Sequence, residues 1–69
     1  MKVLIQKKGT DLFLSEEGLW LKGRDTAHDY KKTIHASKVC VHQGESDAQI
    51  LLSFPDEEYD IQLNPYQAA

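Results

Sequence analysis

Three short apolar runs separated by two turns occupy the first 22 residues, and they constrain the fold more than any other feature of this 69-residue chain. Val3 and Ile5 alternate along the chain with Lys2, Leu4 and Gln6, which is the period-two spacing of a β-strand. Gly9 and Gly18 lie in the turns, and Gly18 is where the second turn needs positive φ. We therefore expect a three-stranded antiparallel β-meander with strands over about residues 2–7, 12–14 and 19–21.

The strongest helical pattern runs from residue 33 to residue 43. Apolar residues recur there at spacings of three and four, Thr33 is suited to the N-cap, and Gly44 is a suitable C-terminal stop. Val39-Cys40-Val41 taken alone favours a β-strand, and a strand is the alternative that the pattern leaves open. The two end signals favour the helix.

Two further strands are expected after the helix. Residues 48–54 are apolar on both faces, with Leu51 opposite its neighbours, which indicates a central strand. Residues 59–63 alternate apolar and polar side chains and form a possible edge strand, and residues 64–69 are expected to be a frayed tail. The predicted fold is a single α+β domain over residues 1–69: a small antiparallel β-meander, one helix packed on the sheet, and one or two C-terminal strands.

A chain of 69 residues can bury only a small hydrophobic core. Trp20, the only tryptophan, is expected to be largely buried against the helix. The other predicted core residues are Val3, Ile5, Leu12, Leu14, Ala36, Val39, Cys40, Ile50, Leu52 and Phe54.

Composition and the N-terminal sequence limit the location of the protein. Apolar residues at 41% and charged residues at 28% are typical of a globular domain. No apolar run approaches the roughly 20 residues that span a bilayer, and the N-terminal run stops at Gln6, too early for a secretion signal. The single cysteine, Cys40, cannot form an internal disulfide. We therefore expect a cytoplasmic protein with no membrane association.

A wider pattern of landmark residues resembles a group of small uncharacterised bacterial proteins. The pattern is aromatic-Leu, three residues, Gly-x-Trp, and then Ala-x-x-aromatic, over about residues 2–63. The resemblance implies the same fold and no activity, since no function is known for these proteins. The matching residues are Phe13, Leu14, Gly18, Trp20, Ala27, Tyr30, Ala36, Cys40 and Phe54.

No residue pattern predicts catalysis or a cofactor. His28, His35 and His42 recur every seven residues, but seven residues of helix rise about 10.5 Å, too far for one zinc ion with bonds of about 2.0 to 2.1 Å. Cys40 is expected to be a buried thiol. The adjacent carboxylates at 16–17 and 57–58 are expected to be solvated. We predict that the protein is not an enzyme and that it has no metal site and no cofactor.

Charge is distributed unevenly along the chain. All eight Lys and Arg residues lie at or before Lys38 together with five acids, whereas six acids and no base follow it. The two halves either interleave in the fold or form opposite faces.

Two functional hypotheses follow from these features. The leading one is a non-enzymatic interaction module that binds a protein partner or itself. The alternative is weak nucleic-acid binding through basic residues near Trp20 and Tyr30, although a net charge of −3 and a pI near 5.4 count against it. The candidate contact residues for either partner are Lys22, Arg24, Lys31 and Lys32.

Overall fold

A computed structural model describes residues 1–43 and 47–63, which form one antiparallel sheet with an α-helix packed on it. The spatial order of the strands is β3-β2-β1-β4-β5. The expected α+β architecture and the β-meander are confirmed. The elements are β1 (Lys2–Lys7), β2 (Leu12–Leu14), β3 (Trp20–Lys22), α1 (Thr33–Gln43), β4 (Ala48–Ser53) and β5 (Ile61–Leu63), with 3-10 turns at Arg24–Thr26 and Glu57–Tyr59.

The β1–β4 ladder is the longest pairing in the sheet. It runs without interruption from Lys2 opposite Ser53 to Lys7 opposite Ala48. Both strands carry apolar side chains on both faces, which suits the interior of a sheet that is covered on two sides. By contrast, β1 pairs with β2 only around Gln6 and Phe13.

The sheet has two apolar faces. One, the helix face, packs against α1 through a cluster with partly buried Trp20, Val39, Leu52 and Leu63 at its margin. The other, the crossing face, holds the smaller cluster of Leu4, Phe13 and Leu51, against which Ala27 packs. The buried residues of the helix-face cluster are Val3, Ile5, Leu14, Tyr30, Ala36, Cys40, Ala48 and Ile50.

The crossing segment, residues 23–30, covers the second face and then completes the hydrogen bonding of β1. Where β2 no longer pairs with β1, the N–H of His28 donates to the carbonyl of Leu14 at 3.1 Å, and the N–H of Tyr30 donates to the carbonyl of Val3 at 2.8 Å. The N–H of Val3 donates in turn to Oδ1 of Asp29 at 2.9 Å. The crossing segment therefore takes the place of β2 along the first half of β1.

The helix begins as the sequence indicates, with one difference at its cap. The N–H of Ala36 donates to the carbonyl of Lys32 at 3.1 Å, so Lys32, and not Thr33, occupies the N-cap position. The alternative of a strand over these residues is wrong, since Thr33–Gln43 is helical. The expected helix stop at Gly44 and the tail at 64–69 lie outside the described residues.

Several expected details of the strands and of the core are corrected. Trp20 is only partly buried, because β3 is the edge of the sheet while α1 lies mainly over β1 and β4. Leu12 and Phe54 are also only partly buried, and Tyr59 belongs to a 3-10 turn instead of a strand. The core residues missing from the sequence-based set are Leu4, Phe13, Tyr30, Ala48 and Leu51.

Two isoleucine-to-alanine substitutions test the assignment of the core. Ile5 is completely buried between α1 and the sheet, so Ile5→Ala should lower the free energy of unfolding by about 2 to 5 kcal/mol. Ile34 is 52% exposed on α1, and Ile34→Ala is the matched control with an expected change near zero. Urea denaturation followed by circular dichroism measures both; equal losses in the two variants would contradict the packing described here.

Candidate interaction surface

The contacts of His28 and His35 and the burial of Cys40 indicate packing roles. Among the described residues, no group of three or more His, Cys, Asp or Glu side chains is placed to hold a metal ion. The rings of His28 and His35 contact the ring of Tyr30 edge-on, with centroids 4.6 and 5.8 Å away. Cys40 is buried, and this burial raises the pKa of its thiol, which disfavours the reactive thiolate.

Tyr30 and Trp20, the two aromatic residues near the expected nucleic-acid contacts, differ in accessibility. Tyr30 is only 8% exposed, and burial, with a smaller contribution from Cys40, raises the pKa of its hydroxyl. Its ring is therefore too enclosed to stack on a base. Trp20 remains partly accessible, with the Lys7 ammonium 5.3 Å from the centroid of its ring.

Arg24 is held by the acidic half of the chain. Its Nη2 lies 2.7 Å from Oδ2 of Asp60, its Nε lies 3.2 Å from Oε1 of Glu57, and its Nη1 donates to Oγ of Ser53 at 3.0 Å. Asp60 uses its other oxygen to accept the N–H of Phe54 at 3.1 Å. We call the contacts of Arg24 with Asp60, Glu57 and Ser53 the Arg24 clasp. The clasp connects the crossing segment to the segment between β4 and β5. The basic and acidic halves of the sequence therefore interleave at this point of the fold.

The three candidate lysines do not form one patch with Arg24. Lys22 ends β3 opposite Leu12, at the end of the sheet where Lys7 pairs with Ala48. Lys31 and Lys32 follow Tyr30, which is bonded to Val3 near the opposite end of β1. About four residues of strand, roughly 13 Å, separate these two ends. All three lysines are exposed, and no ion pair engages them within the part of the chain that the structure describes.

The open side of β3 is the feature that the residue pattern did not indicate. The N–H of Gly23 donates to the carbonyl of Asp11 at 2.9 Å, and the N–H of Ser15 donates to the carbonyl of Leu19 at 2.8 Å. Hydrogen-bonded pairs alternate along an antiparallel ladder, so Leu21 also points its backbone groups toward β2. The N–H and C=O of Trp20 and Lys22 therefore point away from the sheet.

We call residues 19–22 the β3 edge. Leu19 is 57% exposed and Leu21 is 37% exposed. Leu21 lies on the crossing face, because it is opposite Phe13. Trp20 and Lys22 lie on the helix face, because side chains alternate along a strand. The exposed Glu16 and Glu17 form the turn before the edge, and Lys22 closes it. The exposed Asp11 lies near Lys22, since its carbonyl accepts the N–H of Gly23.

A cavity of about 270 Å³ lies beside the Arg24 clasp. Leu4 lines it, and so do Arg24 and Ser53, which bond to each other. Because the guanidinium already has three protein partners, the cavity offers this cation to a ligand only if the clasp opens. The cavity is therefore a weaker candidate site than the β3 edge.

Comparisons with protein-family models, curated proteins and solved structures find no match to this chain. The resemblance to small bacterial proteins stays a prediction. No helix among residues 1–43 and 47–63 is long and apolar enough to cross a membrane.

The Arg24 clasp makes stability depend on pH. The hydrogen bond from Arg24 is the largest of the effects that lower the pKa of Asp60, and the N–H of Phe54 adds to it. The folded pKa therefore lies below the unfolded value of about 3.9, so the stabilisation is complete above that pH and is lost as the pH falls through the folded pKa. We expect Asp60→Asn to lower stability at neutral pH and to flatten the decline in acid.

Urea midpoints measured between neutral pH and acid test this expectation. Asp25→Asn, an exposed aspartate on the turn that contains Arg24, is the matched control and should keep the wild-type pH profile. An Asp60→Asn profile parallel to that of wild type would show that the clasp does not couple protonation to folding.

Proposed function

We propose that this protein is a non-enzymatic interaction module whose β3 edge binds an extended polypeptide segment. The observation that carries the proposal is the set of outward-facing backbone groups of Trp20 and Lys22, flanked by the exposed side chains of Leu19 and Leu21. A strand added to a sheet edge gains main-chain hydrogen bonds, and the side chains on either face provide the selectivity.

Binding of this kind should be weak and reversible. Each new hydrogen bond contributes about 0.5 to 1.5 kcal/mol, and full burial of a leucine contributes about 1.5 to 3 kcal/mol. Association opposes these gains with a cost of at least about 4 kcal/mol. The β3 edge is only three strand residues long, so few contacts are available to exceed that cost.

Several features of the described residues support this reading over the alternatives. Burial of Cys40 argues against a nucleophilic enzyme, since a protonated thiol out of contact with water is a poor nucleophile. Two residues on which the nucleic-acid hypothesis depends are already engaged within the protein. The ring of Tyr30 is buried, and Arg24 is ion-paired with Asp60. We keep the expectation of a cytoplasmic location, where a lone buried thiol requires no oxidising partner.

A proline substitution on the open side of β3 tests the proposal. The N–H of Lys22 faces away from β2, so Lys22→Pro removes a docking donor without removing a bond of the β2–β3 ladder. Lys22→Gln is the matched control, because it removes the same charge and keeps the donor. Peptides selected from a random phage-displayed library on the wild-type protein supply the ligands.

We expect the selected peptides to shift the amide NMR resonances of Trp20 and Lys22 in the wild type. Affinity should fall about tenfold or more in Lys22→Pro and change much less in Lys22→Gln. Peptides that bind Lys22→Pro as tightly as the wild type, or that shift amides far from β3, would contradict the proposal.

A further inference from the structure

We propose that the β3 edge binds the β3 strand of a second copy of this chain, so that a two-fold axis joins two sheets into one. This inference rests on the proposed function, because it takes the β3 edge as the docking surface and names its occupant. Three features of the edge support it: its register, the side chains on its two faces and the reciprocal pairing of Trp20 with Lys22.

The register of the edge is self-complementary about Leu21. An antiparallel copy with its axis at Leu21 places Trp20 opposite Lys22 of the second copy, and the same pair recurs on the other side of the axis. Trp20 and Lys22 are the residues whose backbone groups face outward. Each N–H then meets a C=O of the other copy, and every outward group of β3 is satisfied.

Neighbouring registers are less favourable. An axis at Lys22 would place the two Lys22 residues directly opposite each other, with Cα atoms about 5.5 Å apart, and like charges at that position are destabilising. An axis at Trp20 would place Lys22 opposite Gly18 of the second copy. The N–H of Gly18 already donates to the carbonyl of Ser15 at 3.0 Å, so this register leaves a carbonyl of the edge without a donor.

Side chains on both faces fit the register at Leu21. On the helix face, Lys22 of one copy lies beside the Trp20 ring of the other, where a cation and an indole attract, as they do within one chain between Lys7 and Trp20. On the crossing face, the two Leu21 side chains meet at the axis and cover apolar surface that is exposed in the monomer.

The reciprocal pairing of Trp20 with Lys22 favours a second copy over an unrelated strand. In the register at Leu21, each copy supplies one ring and one ammonium, so the same contact forms on both sides of the axis. An unrelated segment would need an aromatic and a basic residue two positions apart, in the same order, to form both contacts.

Two charge reversals provide the test. Lys22→Glu should weaken pairing on both sides of the axis, because it replaces the ammonium beside each Trp20 ring with a carboxylate. Lys38→Glu is the matched control, because it reverses an exposed charge on α1 and leaves the β3 edge unchanged. Circular dichroism and urea midpoints check that these exposed substitutions leave the fold intact.

Sedimentation velocity over a range of protein concentrations gives the result. We expect the wild type to form dimers, Lys22→Glu to dimerise about tenfold more weakly, and Lys38→Glu to dimerise like the wild type. A wild-type protein that stays monomeric at millimolar concentration would overturn the inference, and so would a dimer that Lys22→Glu leaves unchanged.

Failure of this inference can be told apart from failure of the proposed function. A monomeric wild type in which selected peptides still shift the amides of Trp20 and Lys22 would remove self-pairing and leave the β3 edge as a docking surface for another protein. A monomeric wild type without that peptide binding would overturn both.

Discussion

The β1–β4 ladder is the interaction on which the rest of this structure depends. It joins the first strand to residues 48–53 along their whole length and buries apolar side chains on both faces. Because both faces of this strand pair are apolar, other parts of the chain have to pack on each face to exclude water. The helix covers one side, and the crossing segment covers the other, which leaves β3 at the margin with its backbone exposed.

The crossing segment is held by a few polar contacts. Oδ1 of Asp29 accepts the N–H of Val3 and the N–H of Lys31, each at 2.9 Å, and these bonds fix a chain reversal in which Lys31 adopts a φ of 67°. At the other end of the segment, Arg24 bonds across to Asp60. Both carboxylates have a lowered pKa, for Asp29 mainly through the Val3 amide and for Asp60 mainly through Arg24.

Much of the fold could be predicted from local pattern, because period-two spacing and turn glycines act over a few residues. Gly18 adopts positive φ as expected, at 84°, and the other turn glycine, Gly9, has a φ of 70°. The crossing segment could not be predicted in this way, since its bonds join residues far apart in sequence, such as Tyr30 with Val3. For the same reason the ion pairs of Arg24 and the outward amides of β3 were missed, although Lys22 was among the candidate contacts.

Amide hydrogen exchange measured residue by residue in dilute protein tests the central claim most directly, namely that β3 presents an open edge. Leu21 and Gly23 donate toward β2, whereas Trp20 and Lys22 donate outward. We predict slower exchange at Leu21 and Gly23 than at Trp20 and Lys22, in strict alternation. Protection of Trp20 and Lys22 equal to that of Leu21, in protein shown to be monomeric, would mean that another part of the chain covers this edge and would contradict the claim.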